Sequence, residues 1–132
     1  MPDVIVLTVV FHVTALVFLA NLLTRFGKNF AALSQWLRTL SLFASAVLYI
    51  IGIHTIEAWS WAGIYMYIGE FESLSKALYF SVVTTTTLGY GDIVLSERWQ
   101  LLSTFEAMGG LILFGASTAF LIGLMRHLFE DS

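Results

Sequence analysis

The run Thr84-Thr85-Thr86-Thr87-Leu88-Gly89-Tyr90-Gly91-Asp92 places four hydroxyls before two glycines at alternate positions. It closes an apolar, hydroxyl-rich segment, Leu74 to Thr87, of about fourteen residues, too short to cross a bilayer. Ser73 stands as its N-cap, and the threonine run ends the helix before Gly89. To aim successive carbonyls one way, a chain alternates right- and left-handed dihedrals, and glycine takes the left-handed half without steric cost. Gly89 and Gly91 meet that demand. A ring of such carbonyls replaces the water shell of a dehydrated cation. The Thr87 hydroxyl adds a further oxygen, and Tyr90 is an aromatic able to prop the loop outward against the preceding helix. In lipid, irregular backbone survives only when buried in protein or lining a water-filled cavity. The segment therefore reads as a re-entrant half-helix and a loop at a pore.

The surrounding chain supports a membrane setting. It has 132 residues, 58% hydrophobic and 11% charged, against roughly 45–50% and about 25% in an ordinary soluble domain. A chain this short buries only about two-thirds of its surface on folding, so a free soluble monomer is excluded. Val4 to Leu23 is an uncharged stretch of about twenty residues, enough for one span. Met1-Pro2-Asp3 lacks the positive start of a cleaved signal peptide. Leu37 to about Glu57 forms a second span, and Leu101 to Leu124 a third that carries Glu106 and several glycines. The expected fold is an all-α integral membrane protein with three transmembrane helices, a re-entrant pore helix and a filter loop. Residues 1–36 hold the first span and a linker, and 37–132 form the pore domain.

Arg25, Lys28 and Arg38 fall between the first two spans and Arg126 follows the third, which puts the N-terminus outside and the C-terminus in the cytoplasm. Trp59, Trp61, Tyr65, Tyr67 and Trp99 are then expected at the outer interface and Trp36 at the inner one.

With Thr87, Gly89, Tyr90, Gly91 and Asp92 in place, the chain resembles the potassium channel pore family, whose filter signature is Thr-Val-Gly-Tyr-Gly followed by Asp. Leu88 replaces the usual valine or isoleucine. The resemblance covers about Leu37 to Leu128 and leaves the first span outside. It implies a homotetramer in the plasma membrane, with K+ held by carbonyls of Thr87, Leu88, Gly89 and Tyr90 and no cofactor beyond the permeant ions. It also implies that Asp92 hydrogen-bonds behind the filter; Glu106, placed at the filter's depth by its distance from the outer end of the third span, is expected as a second filter support. On the inner helix, Gly110, Gly115 and Thr118 match the family's hinge and cavity spacing, and Leu111, Phe114 and Thr118 would line the cavity. The same glycines also suit plain close packing of helices.

Cation preference has a second source. The half-helix would point the negative end of its dipole into the cavity. Glu70, Glu72 and Asp92 would add a screened field at the mouth, though Glu70 and Glu72 read more simply as solvated loop charges. Glu106 reads either as a neutral structural group against Ser81 or Thr85, or as part of the ion pathway. His12 and Asn21 read as interhelical hydrogen-bond partners, and His54 as an exposed interfacial group.

Other functions fit less well. A net charge of -3 without a basic stripe excludes nucleic acid as a partner. The three histidines are far apart and cysteine is absent, so no zinc cluster is expected, and no nucleophile and base pair suggests an enzyme. No span carries Arg or Lys at every third position, so no voltage sensor is expected. Only Phe129, Glu130, Asp131 and Ser132 follow Leu128, so gating lies in the pore and membrane or the chain is part of a longer one. The expected function is a pore-forming subunit for passive K+ permeation. A weakly selective cation channel and a non-conducting modulatory subunit are the alternatives.

Overall fold

In the computed structural model, which describes residues 2–130, four α-helices carry almost the whole chain. Helix α1 spans Pro2–Phe26, and a short 3-10 turn, Gly27–Phe30, leads through a four-residue link to α2, Gln35–Tyr67. A turn leads to the short α3, Leu74–Thr85, and residues 86–99 run as an irregular segment into α4, Gln100–Glu130. Three of the four are long and apolar enough to cross a membrane. At 12 residues, α3 rises only about 18 Å and cannot. Met1, Asp131 and Ser132, and with them part of the reading of both chain ends, lie outside the described residues.

Helix α2 has 33 residues, longer than the span its sequence suggested. No proline stops it at Glu57, and the helix carries Ser60 and Gly63 within it. Trp61 and Tyr65 are consequently core residues, 4% and 0% exposed, rather than lipid anchors. They pack with Ala62, Ala77, Phe80, Leu95 and Leu102 in a cluster that joins α2, α3 and the start of α4. A second cluster of Leu19, Ala46 and Ile50, backed by Phe120, Leu121 and Leu124, joins α1, α2 and α4 further along. Burying each of these large side chains contributes about 1.5–3 kcal/mol when the alternative is water. Among lipid tails the gain comes instead from close packing, which explains the fully buried alanines at 46, 62 and 77.

Helix α1 presents one stripe to the rest of the chain: Ile5, Thr8, His12, Leu16, Leu19 and Leu23 are buried or half-buried at helical spacing. The opposite face, with Val6, Val10, Val13 and Val17, is exposed, as suits a helix against lipid. Ser73 does precede α3, but its hydroxyl makes no capping hydrogen bond.

Candidate functional site

The backbone after α3 has an unusual pattern. Thr87, Gly89 and Gly91 take φ of 60°, 56° and 75°, with the residues between them outside the left-handed region. Alternation was expected of the glycines. Thr87 joins it although a β-branched residue resists that conformation, at a cost of order 1–3 kcal/mol. The turn is held by the end of α3: the Thr87 amide donates to the Thr84 carbonyl at 2.9 Å, and the Gly89 amide to the Val83 carbonyl at 3.1 Å. Leu88 is 55% and Tyr90 66% exposed on the single chain. Asp92 is held behind the loop, its Oδ2 accepting from the Tyr79 hydroxyl of α3 at 2.8 Å.

Behind α3 lies Glu106, 1% exposed on α4. Its Oε1 accepts from the Ser81 and Thr85 hydroxyls, each at 2.6 Å, and its Oε2 from the Tyr65 hydroxyl. Ser81 is also 2.9 Å from the Ala58 carbonyl and has one proton for the two acceptors. One carboxylate thus ties α2, α3 and α4 together. Ser81 and Thr85 were legible as partners, whereas Tyr65 was hidden by its reading as an interfacial aromatic.

Gly110 sits one turn along α4, where an added Cβ would lie 2.2 Å from the Thr85 carbonyl oxygen. The helix runs unbroken through Gly110 and Gly115. Gly110 is therefore a point of close approach between α4 and the end of α3. Leu111 and Thr118 share an exposed face of α4, seven residues apart. Phe114, half-buried on the same side as Thr118, stacks on His54, ring centroids 4.0 Å apart.

A second polar group was not foreseen as a unit. His12 Nδ1 lies 2.9 Å from Glu57 Oε1, and His54 Nδ1 lies 2.9 Å from Glu57 Oε2. The far nitrogens of both rings meet the Ser117 hydroxyl, at 3.0 Å for His12 and 3.1 Å for His54. All four residues are buried. His54 is therefore not an exposed interfacial group, and histidines distant in sequence do assemble once α1 folds against α2. His12 bonds across helices as expected, while Asn21 is exposed and faces away. The signal available was Glu57, an acid three residues after His54 and so on its face of the same helix.

Glu70 also departs from its reading as a solvated charge. Its carboxylate accepts from the Ser96 amide at 2.8 Å and the Ser96 hydroxyl at 2.6 Å, pinning the segment before α4 to the end of α2.

Comparison with known proteins follows the same geography. A family described as Ion channel matches residues 36–127, more than two-thirds of the chain, from the start of α2 to near the end of α4. The chain is also similar to the voltage-gated potassium channel Kch of Escherichia coli K12, 42% identical over 53 residues. That match covers 39% of this chain and 13% of the relative, so the chain spans a small part of that protein. No solved structure matches.

Proposed function

Because the chain belongs to the ion channel family, we propose that it is the pore-forming subunit of a potassium-selective channel, with α3 as a re-entrant pore helix and residues 87–91 as the filter. The observation that carries this reading is the left-handed backbone at alternate residues Thr87, Gly89 and Gly91, directly after a helix too short to span. Alternation turns the intervening carbonyls of Leu88 and Tyr90 to the same side as their neighbours, which a dehydrated cation requires. One chain supplies one strand of carbonyls, so a closed fourfold ring of identical chains completes the site. The large exposed side chains of Leu88, Tyr90, Leu111 and Ile112 supply apolar surface for that assembly.

In the ring, ions shed water at a mouth flanked by Asp92, occupy sites made by Thr87, Leu88, Gly89, Tyr90 and Gly91, and advance by mutual repulsion. The C-terminal end of each α3 points partial negative charge into the cavity beneath. Leu111 and Thr118 line that cavity, with Gly115 beside them. Glu106 supports the filter from behind, because it anchors Thr85, two residues before Thr87, to α2 and α4. No bond is made or broken in this function, which is not enzymatic. The basic linker between α1 and α2 lies in the cytoplasm, which sets the N-terminus outside the plasma membrane.

Flux into proteoliposomes tests the reading. Purified protein in vesicles with an outward K+ gradient should accumulate tracer Rb+, and the same vesicles with an outward Na+ gradient should not. Equal uptake under both gradients indicates a weakly selective cation pore, and no uptake under either indicates a non-conducting subunit.

A further inference from the structure

The layer between the two apolar clusters holds His12, His54, Glu57 and Ser117, and it joins the helix outside the family match, α1, to the two long helices inside it. We propose that this layer is a binding site for a divalent transition-metal ion, zinc foremost, with His12, His54 and Glu57 as ligands.

Three features carry the assignment. The first is donor type and placement. Two imidazole nitrogens and a carboxylate lie within 4.8 Å of one another, all on buried side chains. Two histidines and a glutamate form one of zinc's recurring ligand sets. Donors at about 2.0–2.2 Å from one zinc stand about 3.3–3.5 Å apart, close to the 2.9 Å that separates each Nδ1 from its carboxylate oxygen.

The second is the carboxylate's orientation. Glu57 turns Oε1 to one ring and Oε2 to the other, so its carboxylate stands against both imidazoles where α1 meets α2. The third is the far side of the rings. Ser117 Oγ lies within hydrogen-bond distance of both Nε2 atoms. A hydroxyl has one proton to donate and two lone pairs to accept with. A cation on the Nδ1 side leaves both rings with Nε2–H groups aimed at the Ser117 oxygen, while without a cation one proton on Glu57 or on one imidazole closes the same ring by hydrogen bonds. A ligating histidine normally gives its other N–H to such an acceptor. Phe114, stacked on His54, closes the site from the α4 side.

A metal here would staple α1 to the pore helices, with Ser117 reporting occupancy to α4. Full-length protein purified in detergent would be stripped with a chelator, reloaded with Zn2+, gel-filtered and assayed for metal by mass spectrometry. About one zinc per chain is expected, falling to background in His12→Gln and Glu57→Gln and unchanged in His127→Gln. Ser117→Ala keeps all three ligands, and its zinc affinity in a competitive chelator titration should drop roughly 10–100-fold. Should the ligand variants fail to fold, Co2+ loading of the unmodified chain decides, since tetrahedral Co2+ with nitrogen and oxygen ligands absorbs strongly in the visible. Background zinc in the unmodified chain, or full zinc in the His12→Gln/His54→Gln/Glu57→Gln variant, overturns the proposal and leaves a ring held by hydrogen bonds alone.

Discussion

Replacing Gly110 by alanine isolates the contact that sets the end of α3 against α4. The new Cβ would stand 2.2 Å from the Thr85 carbonyl oxygen and 2.9 Å from its carbonyl carbon, both backbone atoms that no rotamer can move. Reaching the 3.4 Å at which ordinary contact begins requires α3 and α4 to part by about 1.2 Å at that point. Overpacking of this kind costs about 1–3 kcal/mol, and a backbone clash belongs at the upper end. About 3 kcal/mol is roughly a hundredfold in the folded-to-unfolded ratio. The displaced end of α3 carries Thr87, and a constellation of binding oxygens tolerates only about 0.5 Å of error. Gly109 is the internal control, because nothing lies within 4 Å of its added Cβ, and alanine there gains up to about 1 kcal/mol of helix propensity. SDS titration of micelle-bound protein followed by circular dichroism would measure both variants, with Rb+ flux alongside. The reasoning predicts a destabilised, non-conducting Gly110→Ala and an intact Gly109→Ala. Equal stability of the two variants would refute it.

Three further changes probe the same machinery. Glu106→Leu should cost about 2–6 kcal/mol by SDS titration, since the Tyr65 and Thr85 hydroxyls lose their acceptor while Ser81 falls back on the Ala58 carbonyl; Glu106→Gln, which keeps an accepting oxygen, should cost less than half as much. Gly89→Ala should abolish Rb+ uptake, because a side chain at φ of 56° costs about 1–2 kcal/mol, whereas Leu88→Val should conduct under the proposal that position 88 contributes its carbonyl. Tyr79→Phe removes the hydroxyl that holds Asp92, and single-channel records should then show shorter openings at unchanged unitary current.

The outline of the fold was legible because hydrophobic length and the spacing of Gly89 and Gly91 are local signals. Three long apolar runs gave α1, α2 and α4, and a run too short to span gave α3. Glu106 with Ser81 and Thr85 was also within reach, since a carboxyl in a span needs hydroxyl partners and few were available. What stayed hidden depended on where α2 ends. Ending the span at Glu57 made His54 interfacial, Glu57 peripheral, and Trp61 and Tyr65 lipid anchors. Ten further residues of helix bury all of them. The pairing of His12 with Glu57 is a contact between residues 45 apart, set by the packing of α1 on α2, for which no periodicity speaks. Thr87 at positive φ was likewise illegible, because its type argues against the conformation that its neighbours impose.

Selective permeation through the loop at residues 87–91 is decided by the reversal potential. Purified protein in a planar bilayer would be recorded first under a K+ gradient and then with Na+ replacing K+ on one side. Reversal near the K+ equilibrium potential is expected in the first condition and a large shift, set by exclusion of Na+, in the second. Reversal near zero with K+ against Na+ would contradict selective permeation.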